Sequence, residues 1–383
     1  MTALRLGSCY GGLRTGIRPI HPAGCGRVPR APLTRPALEI SWKRAAWRLS
    51  RGQYSDGHYL YWYHPVTQEI TSTPGNLLRQ AGSAYAMALA ARSAVDFDAA
   101  RTFEVSATKA VAFIAAAAHG SDNLGLIALA SLAVQHLGGL CNDVRAEDFV
   151  GAIVRAQRRD GSFRCLAGSR SAEEDGAKQD FYPGEALLVL AGEASRGHTE
   201  FEGILARAFG WYRHWFRRKP STAFALWQAD AWRLVAEFLL NDGRHEDIAI
   251  EYASFVFEIV DWLLQFQLSN PTHAEEEGAF VAGGAPGAAT ACYAEAVMRA
   301  SALAERVGDF ARSARYGAAG ALGMAFVLSL QIAPETHGLF AEPALVDGGI
   351  TASLENFSLR CDRDQHAITA CIAALQAPCN WQS

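Results

Sequence analysis

Five stretches of the chain place acids, bases or guanidinium groups at the head of an otherwise apolar helical run. Glu185 follows Tyr182, Pro183 and Gly184 and precedes a series of Leu, Val and Ala. Glu295 sits in Ala-Cys-Tyr-Ala-Glu-Ala-Val beside Tyr293. Asp230 lies between two tryptophans, with Trp227 and Gln228 just ahead of it. Residues 360–366 pack Arg360, Asp362, Asp364 and His366 into one short stretch, and Arg79 and Gln80 head a fifth segment.

These residue types suit acid–base work on a polar substrate. Two carboxylates flanking a glycosidic bond can act as acid and base, their separation deciding retention or inversion. A carboxylate beside an imidazole can orient it or raise its pKa, and the imidazole can then move a proton next to a carbonyl. Arg with Gln suits a carboxylate or hydroxyl group, and indole and phenol rings offer flat apolar faces to sugars. The catalytic candidates are therefore Glu185, Asp230, Glu295, Asp362 and His366. The substrate-binding candidates are Arg79, Gln80, Tyr182, Trp227, Gln228, Tyr293, Arg360 and Asp364. Structural alternatives stay open. Glu185 can complement a helix dipole, Asp364 can cap the last helix, Asp180 can be a cap or a loop ligand, and Arg79 can pair with Asp362 or Glu185.

Apolar periodicity near 3.6 predicts twelve helices after residue 38, over 39–51, 75–93, 97–118, 122–138, 145–157, 182–195, 200–218, 222–241, 247–267, 289–306, 308–331 and 364–376. Links after the even helices are short, and links after the odd ones are mostly long (52–74, 158–181, 268–288 and 332–363). The exceptions are the brief links after the third and seventh helices. Such alternation is the signature of helical hairpins in series, with the elaborated loops at one end. The long loops share a pattern in which the odd helix ends in Gln and a Gly and an aromatic follow. The copies are Gln53 with Gly57 and Tyr59, Gln157 with Gly161 and Phe163, Gln267 with Gly278 and Phe280, and Gln331 with Gly338 and Phe340. Gly permits the turn after the helix, the aromatic packs the loop back, and Gln can tie the last carbonyls to it.

Six hairpins with these repeated turns resemble the six-hairpin α/α toroid shared by six-hairpin glycosidases, some sugar epimerases and lyases, and terpenoid cyclases and prenyltransferases. The Gln…Gly-x-aromatic repeat is similar to the stabilising motif of triterpene cyclases. The resemblance covers about residues 39–376 and implies an all-α (α/α)6 toroid, with odd helices outside and even helices inside. The first turns of the even helices would then ring a cavity at the long-loop end and bring the polar candidates together. Fold alone does not give the activity.

Composition narrows the partners. Half the residues are hydrophobic and the net charge is −4. There is no basic stripe for nucleic acid and no apolar run long enough to span a membrane. Eight cysteines without a C-x-x-C pair read as reduced thiols of a cytoplasmic protein. Residues 1–38, Arg-rich and without an acid, read as a loosely ordered basic extension ahead of a single toroid domain over 39–383. No cofactor or metal is expected. The expected partner is a small molecule or an oligosaccharide.

The favoured reading is an enzyme acting on a sugar or uronic-acid-containing glycan by hydrolysis, epimerisation or elimination. A terpenoid cyclase is the first alternative, but the chain lacks D-x-D-D, D-C-T-A-E and D-D-x-x-D. A zinc-dependent relative would need Cys292, Cys361, Asp362 and His366 to converge. A non-catalytic toroid that binds a ligand or a protein is the third reading.

Overall fold

A computed structural model of the chain describes residues 9–12, 16–19, 33–138, 140–141, 144–243, 245–334, 338–379 and 381. Most of the expected N-terminal extension lies outside these residues. Within it, Cys9–Gly12 and Gly16–Pro19 pair as an antiparallel hairpin. The first helix begins earlier than expected, at Arg35, with Thr34 as its side-chain N-cap.

Among the described residues twelve long helices follow in the order predicted. They are α1 (Arg35–Arg51), α2 (Leu77–Ser93), α3 (Phe97–Ala118), α4 (Leu124–His136), α5 (Ala146–Ala156) and α6 (Tyr182–Ser195), then α7 (Glu202–Arg218), α8 (Thr222–Asp242), α9 (Glu246–Leu263), α10 (Thr290–Arg306), α11 (Phe310–Ser329) and α12 (Cys361–Gln376). The last helix starts three residues before its expected position. Asp364 is therefore inside its first turn, and Arg360 is the residue that flanks it.

The even helices form a closed inner ring. Helix α2 packs on α4, α4 on α6, α6 on α8, α8 on α10, α10 on α12, and α12 returns to α2. The odd helices lie outside, α1 covering the closing seam against α12. Composition explains the layering. From Leu124 to Gln135 every residue of α4 is buried, and so is every residue of α6 from Tyr182 to Gly192. A helix apolar all round must be covered on all sides, whereas α7 and α9 bury one stripe and expose the other. No helix among the described residues is long and apolar enough to cross a membrane.

Four loops carry one repeated brace. Each Gln side-chain amide donates to the carbonyl of its loop glycine and to a carbonyl of another outer helix. Gln53 Nε2 reaches Gly57 O at 2.9 Å and Ser106 O at 2.9 Å. Gln157 reaches Gly161 and Ile204, Gln267 reaches Gly278 and Ala319, and Gln331 reaches Gly348 and Ser41. Gly57, Gly161, Gly278 and Gly348 all have positive φ. A Cβ built on Gly161 would lie 2.4 Å from Arg207 O, and the other three meet backbone of a neighbouring outer helix as closely. The expected Gly338 and Phe340 are thus not the fourth copy. Gly348 and Ile350 fill those places, with Ile350 bridging Gln331 as Tyr59 bridges Gln53. The position asks for an apolar residue, and an aromatic ring is one way to supply it.

Short strands complete the mouth. β1 (Trp62–Tyr63) pairs with β2 (Ile70–Thr71) on one side and β3 (Leu359–Arg360) on the other, in the register Trp62↔Arg360. This pairing fixes the entry to α12 beside the loop ahead of α2.

Candidate active site

All six inner helices start at the long-loop end, so a residue's place along its helix gives its depth at about 1.5 Å per residue. Glu185 is the fourth residue of α6, and Trp227 and His366 are the sixth of α8 and α12. Trp227 and His366 share a level by this measure, with Glu185 about 3 Å nearer the mouth. In the order of the ring, α6 and α12 are opposite each other.

Glu185 is 3% exposed, and its Oε2 has no hydrogen-bond partner. It does not cap its own helix. Gly125 of α4 makes room for it, since a Cβ there would lie 2.7 Å from Glu185 Oε2 and 2.6 Å from the Tyr182 ring. Burial alone pushes the Glu185 carboxyl up to about 8, so it is protonated at neutral pH. Gly184, one residue earlier, lets α6 approach the backbone of α8 at Trp227 and Gln228.

Across the ring, Arg360 and Asp362 form a two-pronged pair at 2.5 and 2.9 Å. Arg79 joins them, its Nε 3.0 Å from Asp362 Oδ2 and its guanidinium bonded to Tyr61 Oη. Arg363 also faces this group and donates to Ser358 O. Three guanidinium groups therefore surround one carboxylate. Burial would raise the Asp362 pKa, but the bond and charge of Arg360, then His366 and Arg79, hold it below the usual range. Burial lowers the Arg363 guanidinium to about 10, with Arg360 adding to the effect. His366 stands one turn below Asp362, and its Nδ1 is buried without a partner. Burial lowers its pKa, and Asp362 only partly restores it. The imidazole is thus held neutral.

Aromatic rings adjoin His366. Trp227 is 6.5 Å from His366 and 6.2 Å from Tyr85 of α2, which in turn meets His136 of α4 edge-on at 5.1 Å. Helices α2 and α8 face each other across the ring, so the Tyr85–Trp227 contact spans its interior.

Asp230 and Glu295, expected beside Glu185, belong to a separate charged cluster that shares Arg299. Asp230 accepts from Arg233 at 2.8 Å, and Glu295 accepts from Arg299 at 2.8 and 3.1 Å. Arg299 also lies 3.5 Å from Asp230. Thr369 Oγ1 donates to the other Glu295 oxygen at 2.5 Å. Burial opposes ionisation of both acids; for Asp230 the charges of Arg299 and Arg233 outweigh it and lower the pKa, while for Glu295 burial wins and the pKa rises. Their neutralising arginines sit three and four residues along the same helices, a spacing legible in the sequence.

Other candidates are engaged in holding the fold. Gln80 Oε1 accepts from Tyr59 N at 2.8 Å, and Asp364 accepts from Ile350 N at 2.9 Å. Both therefore receive the N–H at the apolar position of a Gln brace. Thr290 does the same for Phe280, and Tyr212, itself bonded to Gln179, does so for Phe163. Asp364 also forms a buried pair with Arg48. Tyr293 packs on Phe280 at 5.5 Å, and Asp180 accepts from Trp215 Nε1 at 2.9 Å. Gln228 is fully buried with both amide atoms unpartnered. Cys292, Cys361, Asp362 and His366 do not converge, and among the described residues no three His, Cys, Asp or Glu side chains are grouped to hold a metal.

No protein-family profile matches the chain, and no curated protein matches it in sequence. Its fold is that of known toroids. An unsaturated glucuronyl hydrolase specific for heparin superposes with a TM-score of 0.61 at 11% identity, over 89% of this chain and 97% of that one. An α-1,6-mannanase of Salegentibacter sp., in complex with α-1,6-mannotriose, gives 0.60 at 7% identity over 89% and 99%. The type II terpene cyclase MstE from Scytonema gives 0.51 at 14% identity over 89% and 98%. At these identities the likeness establishes the six-hairpin α/α toroid.

Proposed function

We propose that the chain is an acid–base enzyme that acts on a uronic-acid-containing sugar, with Glu185 as the acid and His366 as the base. The observation that carries this reading is the pair itself. A carboxyl held protonated on α6 and an imidazole held neutral on α12, the helix opposite it in the ring, each carry a buried polar atom, Glu185 Oε2 and His366 Nδ1, that has no hydrogen-bond partner. Environments that hold two groups in opposite roles mark acid and base assignments. Asp362 tunes His366 from one turn away. Arg79 and Arg360 leave the mouth cation-rich, which favours a carboxylate on the substrate. The Trp227 indole lies between the two groups in the order of the ring and offers a face to a sugar.

The same pair serves three reactions. In hydrolysis His366 takes a proton from water, the water oxygen bonds to the anomeric carbon, and Glu185 protonates the departing glycosidic oxygen. In elimination His366 removes the proton beside the carboxylate, a C=C bond forms, and Glu185 again protonates the leaving oxygen. In epimerisation His366 takes that proton from one face and Glu185 returns one to the other. A carboxyl with a pKa near 8 is a weak acid, ill suited to protonating an isolated alkene, and this favours a sugar over a polyene.

The test uses uronate oligosaccharides with separate Glu185→Gln and His366→Ala variants. Each change is expected to lower kcat about 10²–10⁴-fold. Product analysis in D2O separates the reactions, since elimination gives an unsaturated end and epimerisation gives carbon-bound deuterium. Turnover unchanged in both variants would overturn the assignment.

A further inference from the structure

A second concave site lies outside the ring, between the loop that follows α5 and the last turns of α7. It is a pocket of about 220 Å3 lined by Arg158, Arg170, Trp211, His214, Trp215 and Arg218, with Asp160 and Glu173 also on its wall.

Its lining sets aromatic faces and guanidinium groups against the exposed carboxylate of Glu173. Trp211 and Trp215 stack with centroids 5.0 Å apart and planes 17° apart. The indole of Trp215 is buried, while Trp211 is half-buried. Arg218 holds its guanidinium 5.6 Å from the Trp215 ring. Arg158 is committed inward to Asp175 at 2.8 Å. Arg170 and Arg218 are exposed, and among the described residues neither pairs with a carboxylate. Asp160 is occupied in its own turn, accepting from Ser162 N at 3.0 Å and Ser162 Oγ at 2.8 Å. An aromatic platform thus sits beside two uncommitted guanidinium groups.

The pocket is also joined to the mouth of the ring. Trp215 Nε1 donates to Asp180, and Asp180 lies two residues before Tyr182 and five before Glu185. The link from α7 to α8 beside the pocket, residues 219–221, is brief.

We propose that this pocket is an outlying carbohydrate subsite, which holds an anionic sugar residue of the same chain whose reacting unit lies in the ring. The sugar face stacks on Trp211, and its carboxylate is taken by Arg218 and Arg170. The ligand class rests on the proposed function, whereas the site itself does not.

Binding is measured by calorimetry in the full chain carrying Glu185→Gln, so that substrate is not consumed. The probes are a glucuronate-containing hexasaccharide, its carboxyl-reduced neutral counterpart, and a disaccharide too short to span both sites. Trp211→Ala and Arg218→Ala are each expected to weaken the hexasaccharide about tenfold and to leave the disaccharide unchanged. Trp211→Phe keeps a flat face and restores part of the loss. The neutral hexasaccharide is expected to respond to Trp211→Ala and not to Arg218→Ala. Unchanged hexasaccharide affinity in both alanine variants would overturn the subsite, and so would an equal loss for the disaccharide. If Glu185→Gln turns over normally while hexasaccharide binding still depends on Trp211, the acid–base reading fails and the subsite stands.

Discussion

Glu185 Oε2 has no hydrogen-bond partner and burial alone sets the pKa of its carboxyl, so ionising it leaves a buried charge that no cation offsets. The sign of the linkage follows. Its folded pKa of about 8 lies above the ordinary 4.5, so the folded state holds the proton more tightly. Below pH ~4.5 the group is neutral in both states and costs nothing in this respect. Stability is lost as pH rises between about 4.5 and 8, then levels off. Glu185→Gln removes that loss. Its advantage over the parent is expected to grow across this window to on the order of 2–4 kcal/mol, read from urea unfolding at several pH values. Activity runs the other way, because the amide has no proton to give. In the parent, kcat/KM is expected to fall above pH ~8 as Glu185 ionises, and below the lowered pKa of His366 as the imidazole protonates. A profile that stays flat from pH 5 to 9 would exclude the pair. At this scale the sequence revealed which polar residues sit at helix heads but not which are already paired. Gln80 and Asp364 look like ligand binders until the loop N–H groups they accept from are seen, and those come from residues 21 and 14 positions away.

Four glutamines make the same two bonds, so the brace is a unit that can be tested four times. Replacing Gln157 or Gln267 by Ala leaves two loop or helix carbonyls short of a donor. The expected cost is about 1–3 kcal/mol each, measured by chemical denaturation. The sites are far apart and share no partners, so the double variant is expected to lose the sum. Gly161→Ala is expected to cost at least about 2 kcal/mol, since it adds a left-handed backbone penalty to a clash with Arg207 O. Three copies were legible from spacing and residue type. The fourth was not, because Ile350 lacks the aromatic signal and Gly338 with Phe340 offers a false match in the same loop. Helix ends were legible where Gly or Pro punctuates them. The start of α12 was not, because strand pairing through Arg360 sets it and no local cap does.

Six inner helices close on themselves only if the two ends of the fold meet. They do: α1 lies on α12, and Arg35 donates to Leu375 O at 3.2 Å. The ring is therefore expected to tolerate a change of chain order better than a broken brace. A circular permutant of the full chain, with its termini joined by a flexible linker and new ends opened at the exposed Gly197–His198 link, is expected to keep its helical circular dichroism and one unfolding transition. Opening the chain at Gly161 instead, inside a brace, is expected to abolish that transition. Hairpin number, layer order and the end that carries the long loops were all legible, because periodicity and link length report them directly. The separation of the Asp362 group from the Asp230–Glu295 cluster was not, since it depends on contacts between helices, Arg299 with Asp230 and Thr369 with Glu295.

The unequal links also shape the rim. Long loops rise before α2, α6, α10 and α12, while α4 and α8 are reached by brief ones. Those two helices flank α6, so link length alone leaves the rim low on each side of the helix that carries Glu185. A polymer laid across the rim there can leave on both sides without lifting its ends over a long loop. Such a rim suits attack within a chain, and the earliest products from a long uronate polymer are expected to be mixed internal fragments. A steady release of end units would show instead that the low stretches are closed to the chain.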